Sequence, residues 1–150
     1  MKQILPIVLA GLLGGSLAAA QGNDDAASPI FIESEVDDLS QFVWENRLVV
    51  IFADSPNDPN FGLQIEYLEA RIDELVERDI LVLTDTDPSV QTALRTKLRP
   101  RGFMMVLIGK DGEVKLRKPF PWDVRELTRT IDKMPIRQRE IRERRTLQDN

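Results

Sequence analysis

Three observations place this chain in the α/β class, as a three-layer sandwich with a mixed four-stranded sheet. The first is a pair of near-continuous apolar runs, RLVVIFAD at 47–54 and ILVLT at 80–84. Runs of that length suit central strands covered on both faces. The second is the stripe between them, where Phe61, Ile65, Leu68, Ile72 and Leu75 follow helical spacing. A helical crossover of that kind joins parallel neighbours. The third is Lys110-Asp111-Gly112, set between FMMVLIG and EVKLRK. Asp-Gly between two strands signals a hairpin, and hence an antiparallel pair. The order is therefore β-α-β-α-β-β-α, with helices on both faces of the sheet.

The chain opens with Lys2, an apolar stretch from Ile4 to Leu13, and Ala18-Ala19-Ala20. That is the pattern of a cleavable export signal, with cleavage expected after Ala20. The apolar stretch is too short for a spanning helix, which needs about 20 residues. No later segment is long and apolar enough to span either, so no membrane span is expected after cleavage. The expected location is periplasmic or secreted. The absence of cysteine excludes a lipid anchor on a thiol and any disulfide, although export usually permits disulfides. The net charge is −5, and loss of Lys2 with the signal makes the remainder more negative. Such a chain is a poor general binder of nucleic acid, and none is expected as a partner.

Residues 21–38 form an acidic leader, expected to be flexible, in which Pro29-Ile30-Phe31-Ile32 is a short apolar piece able to dock. The domain proper is expected over 39–135. The breaker cluster at 55–59 ends the first strand, and the first helix runs over about 60–78. Asp85-Thr86-Asp87-Pro88 turns the chain after the second strand. A helix from Ser89 to Leu98 then packs Val90, Ala93, Leu94 and Leu98 inward, until Pro100 and Gly102 stop it. The third strand covers 103–109. The fourth, at 113–118, alternates enough to be an edge. Asp123 and Glu126 have capping-box spacing ahead of a helix carrying Val124, Leu127, Ile131 and Met134. Pro135 ends that helix, and a basic tail occupies 136–150.

The order of elements resembles the thioredoxin core. FMMVLIGKDGEVKLR is similar to the closing hairpin of many thioredoxin-like proteins. Over residues 39–142, the strings LSQFVWENRLVVIFA, ERD, GFMMVLIGKDGEVKLR and DKMPIRQREIR resemble something narrower. They are similar to a family of small, mostly bacterial exported domains of uncharacterised function. The same domain type occurs in animal extracellular-matrix proteins, including sushi-repeat-containing ones. The resemblance implies a thioredoxin-like fold and no assigned activity. Redox thioredoxins place Cys-x-x-Cys after the first strand, where a helix N-terminus stabilises the thiolate. Here that place holds Asp54-Ser55-Pro56-Asn57-Asp58. Their cis-proline directly precedes the third strand, where this chain has Arg101-Gly102-Phe103, with Pro100 two residues too early.

Without cysteine or histidine, thiol chemistry and a Ser-His-Asp arrangement at Ser55 are excluded, and the missing histidine argues against a catalytic zinc site. No catalytic residue and no cofactor is expected. Three groups remain as candidates. Asp54, Asp58, Asp85 and Asp87 follow two strands, at the end where α/β sheets hold ligands. Four carboxylates on one rim would attract a divalent cation; equally, Asp is a common turn former and helix cap. Phe120 and Trp122 lie in the proline-stiffened loop PFPWD, where an exposed ring suits partner recognition and a folded-back ring would lid the core. Arg137, Arg139 and Arg142 in the tail suit an anionic partner, or a solvated tail neutralised by Glu140 and Glu143. The expectation is a non-catalytic binding module for a protein or envelope component. The alternatives are a ligand or cation carrier, or a non-redox enzyme, using the Asp rim.

Overall fold

The computed structural model describes residues 30–32 and 36–149. The expected export signal, its cleavage at Ala20, and residues 21–29 and 33–35 of the leader lie outside the described residues. The strands are β1 (Phe31–Ile32), β2 (Arg47–Phe52), β3 (Ile80–Asp85), β4 (Met104–Ile108) and β5 (Val114–Lys118). The helices are α1 (Pro59–Glu69), α2 (Ile72–Glu77), α3 (Ala93–Leu98), α4 (Val124–Asp132) and α5 (Pro135–Gln148). One sheet has the order β1-β3-β2-β4-β5. β1, β3 and β2 are parallel, while β4 is antiparallel to both β2 and β5.

The pleat explains the apolar runs. Along β2, Val49 and Ile51 join Leu68, Leu75, Val82, Met105, Leu127 and others in one core beneath α1, α2 and α4. Leu48, Val50 and Phe52 point the other way, into a second core closed by Leu94 and Leu98 of α3. Alternate side chains go to opposite faces, and both faces are covered, so the strand reads as unbroken apolar sequence.

The sheet has five strands rather than four, because the apolar piece of the leader docks as β1. The Val82 amide donates to Ile30 O at 2.7 Å. The long first helix is two helices, since Arg71 (φ −139°, ψ 41°) leaves helical geometry. Leu68 and Leu75 keep the stripe buried across the break. The helix expected from Ser89 starts only at Ala93, after the Thr92 hydroxyl caps it by accepting the Arg95 amide at 3.1 Å. Val90 is consequently exposed rather than inward. The capping box does not close: Asp123 accepts the Arg125 amide, while Glu126 pairs with Arg129 at 3.0 Å.

Pro135 starts a helix as well as ending one. At the first helical position its missing N–H is one that a helix leaves unpaired anyway, and α5 continues to Gln148. The tail described here is thus helical. The hairpin forms as expected, with Gly112 at φ +80°, a conformation glycine adopts freely. Trp44, just before β2, also has positive φ (69°) and is 65% exposed; its amide donates to Lys110 O at 2.7 Å.

This topology sorts the candidate residues by end of the sheet. Phe52 pairs with Met104 and Leu48 with Ile108. Residues 54–58, 86–92, 99–103 and 119–122 therefore follow or precede strands at one end. Arg47, Asp79 and 109–112 lie at the other. Among the described residues, no helix is long and apolar enough to cross a membrane.

Candidate functional site

At the carboxyl ends of β2 and β3, Asp58, Asp87 and Asp85 have separate local tasks. Asp58 is the N-cap of α1, accepting the Asn60 amide at 2.8 Å, with Pro59 opening the helix. Asp87 accepts the amide and hydroxyl of Ser89 at 3.0 and 2.6 Å, and these bonds hold its carboxyl below the usual carboxylate range. Asp54 is exposed.

Asp85 turns inward. It accepts Arg95 Nε at 2.9 Å and the Thr92 hydroxyl at 2.7 Å, and the Arg95 and Asp85 side chains are only 8% and 7% exposed. Arg95 also donates to Ala53 O at 2.8 Å and lies 5.5 Å from the centre of the Phe52 ring. Asp85 and Asp87 share one turn, with the Asp87 amide 3.2 Å from Asp85 Oδ1. The four carboxylates do not converge. Among the described residues, no group of three or more His, Cys, Asp or Glu is placed to hold a metal ion. Ser55 Oγ accepts the Asn57 amide at 3.1 Å, which shapes the turn before α1.

The place expected for a cis-proline holds no cis bond, and none occurs among the described residues. Instead Arg99 closes α3 in the left-handed region (φ 49°) and Gly102 (φ +60°) turns the chain into β4.

The PFPWD loop divides its two rings. Trp122 is partly buried against the α1 and α4 core, with Lys118 Nζ 4.7 Å from its ring centre. Phe120 is 53% exposed. A fully buried Gln64 on α1 sets this arrangement. Its Oε1 accepts the Trp122 amide at 2.8 Å, and its Nε2 donates to Trp122 O at 3.1 Å. A buried amide with both ends satisfied fixes the loop, so Phe120 projects from a rigid base. Sequence reasoning missed Gln64, whose one visible signal is a polar residue next to the apolar stripe of α1.

At the opposite end, α5 docks through charge. Arg137, expected on the surface, is 2% exposed. It donates to Glu77 Oε1 at 2.9 Å and Asp132 Oδ1 at 3.3 Å, and lies 3.4 Å from Glu140. It is a buried docking residue because its partners come from α2, α4 and its own helix. Glu140 also accepts Arg47 Nη2 at 3.2 Å and Lys110 Nζ at 2.9 Å. Lys110 further pairs with Asp79 at 2.8 Å, and Arg78 holds Asp132 with two bonds of 2.9 and 2.8 Å.

Hydrogen bonds from Arg78 lower the Asp132 carboxyl and raise Arg78 in return. Burial pushes Glu140 up, but bonds from Lys110 and Arg47 outweigh it, and the net shift is down. Arg139 and Arg142 remain exposed. The missed residue here is Arg47, whose signal was a charge opening an otherwise apolar strand; a charge so placed must find partners.

Two solved structures share this architecture. The reduced 2-Cys peroxiredoxin of Plasmodium vivax is 17% identical, with a TM-score of 0.54 over 68% of this chain and 83% of that one. Chloroplastic thioredoxin z is 23% identical, with a TM-score of 0.50 over 68% of this chain and 92% of that one. At such identities the likeness shows the fold alone, a thioredoxin-like one, here carried by a chain without cysteine. A family profile matches residues 38–140, from the cap of the turn before β2 into the docking face of α5. The chain belongs to that family, described as a domain of unknown function, DUF4174.

Proposed function

We propose that this protein is a non-catalytic binding module of the cell envelope. On this reading it is exported by a cleavable signal, and it recognises a protein or envelope component with the face around α1 and the PFPWD loop. The observation that carries the reading is Phe120, more than half exposed and held on a backbone that Gln64 fastens at Trp122. Rigid, exposed aromatic side chains lose little entropy on binding and often anchor interfaces. The absence of any thiol where the thioredoxin pattern needs one supports a binding role. The resemblance to exported bacterial domains and to extracellular-matrix proteins favours a location outside the cytoplasm. A cation-binding or carboxylate-based enzymatic role at the Asp rim draws no support from the geometry, because Arg95 already neutralises Asp85.

The test places a photoreactive phenylalanine analogue at Phe120, and separately at the exposed Val76 of α2, in cells exporting the protein. A discrete crosslinked species from position 120 and none from position 76 is the expected result. Equal labelling from both positions, or none from position 120, would overturn the proposal. Amino-terminal sequencing of the exported product is expected to begin at Gln21.

A further inference from the structure

The end of the sheet that carries the Phe120 loop is divided by charge. Asp54, Asp58, Asp85 and Asp87 mark the ends of β2 and β3. Over β4 and β5 the sign reverses. Arg99 and Arg101 precede β4, Arg117 and Lys118 close β5, and Phe120 follows. These segments are neighbours, because Met105 pairs with Lys118 and Val106 with Arg117. Arg117 Nη1 donates to Leu98 O at 2.5 Å, which brings its guanidinium to the peptide that joins Leu98 to Arg99. Lys118 Nζ lies over Trp122, two residues beyond Phe120.

Among the described residues, none of these four cations forms an ion pair. By contrast, Arg47, Arg78, Arg95, Lys110, Lys115 and Arg137 each hold a carboxylate. Asp123 is the one carboxylate within residues 99–104 and 117–125, and it is engaged as the cap of α4. Arg99 supplies a second observation. It closes α3 at φ 49°, in the left-handed region. Glycine is the usual residue there, because a side chain makes that conformation costly. A cation at a position that suits glycine, exposed and without a partner in the fold, points outward.

On the reading of the Phe120 face as a binding surface, we propose that its partner presents an acidic protein segment, with one apolar side chain set against the Phe120 ring. Guanidinium groups meet carboxylates through paired, charge-assisted hydrogen bonds. A broad anionic surface fits worse. A bilayer or long polyanion laid over the whole rim would press on Asp54 and Asp87, both exposed, whereas a short segment covers the cationic corner alone.

The test is an NMR titration of the exported protein with a short peptide of glutamates around one central phenylalanine. The same peptide with lysine for glutamate, and phosphatidylglycerol vesicles, are separate arms. The expected result is saturable movement of the Arg99, Arg101, Lys118 and Phe120 amides by the acidic peptide alone. Its affinity should fall about tenfold on going to ~0.5 M salt, since exposed charges are screened. Arg99→Gly removes a cation and eases the backbone, so it should weaken the peptide several-fold while the urea midpoint holds or rises. Arg101→Gln should weaken it likewise. No saturable movement, an equal response to the lysine peptide, unchanged affinity in both variants, or tighter binding of the vesicles would overturn the inference. If a crosslink from position 120 accompanies any of those results, the binding-module reading stands and only the acidic partner falls.

Discussion

Asp85 and Arg95 place opposite charges where water scarcely reaches, and each depends on the other. Removing one member of a buried pair is far costlier than replacing both, because the survivor keeps its desolvation penalty. Arg95→Met should therefore destabilise the protein by about 3–5 kcal/mol. The double change Arg95→Met with Asp85→Asn should recover a large part of that, as read from urea unfolding midpoints. Gln64 poses the neutral version of the problem. Gln64→Leu strands the Trp122 amide and carbonyl, at about 1–3 kcal/mol for each group left unpaired. It should also raise amide exchange through 119–122 relative to the sheet. Such residues were poorly legible in the sequence. Arg95 and Gln64 sit beside apolar positions of amphipathic helices, and a helical pattern alone cannot say whether a polar residue at the seam faces water or a backbone group across the core.

α5 owes its place to ion pairs more than to apolar contact, since Arg137 is its one buried residue among those described. Glu140 faces Arg47 from β2, Lys110 from the hairpin and Arg137 from its own helix, with Asp79 across Lys110. Asp132 faces Arg78 and Arg137. Both carboxyls titrate lower in the folded protein than in the unfolded chain. Their contribution is thus fully present above the ordinary carboxylate range and is lost as pH falls through the lowered values. Amide exchange should show α5 loosening on acidification before the central strands do. Glu140→Leu keeps α5 over Arg47 while removing its carboxylate, and should cost about 3–5 kcal/mol in urea unfolding.

At the scale of the whole molecule, the sheet was legible and its attachments were not. β2, β3 and β4 announce themselves because both faces of each are covered, and Asp-Gly fixes the hairpin. β1 is a two-residue strand on the open edge of β3; its apolar residues read as a piece able to dock, but too short to be read as a strand. α5 reads as a solvated basic tail until Arg47, remote in sequence, is known to lie beneath it. The Asp rim failed for the same reason: spacing puts aspartates near one another, while their hydrogen-bond partners decide where they point. Composition speaks to chemistry by exclusion alone: without cysteine or histidine the chain supplies no thiol and no imidazole.

The two tryptophans divide the molecule between them. Trp44 stands 65% exposed beside the hairpin, while Trp122 is partly buried at the opposite end under Lys118. Their fluorescence should therefore resolve into two populations, a red-shifted one quenched readily by iodide and a bluer one that is shielded. Because each indole sits at a different end of the sheet, the native protein carries two optical reporters without any label. A ligand arriving at the Phe120 loop should alter the shielded emission, and one arriving beside the hairpin should alter the quenchable emission.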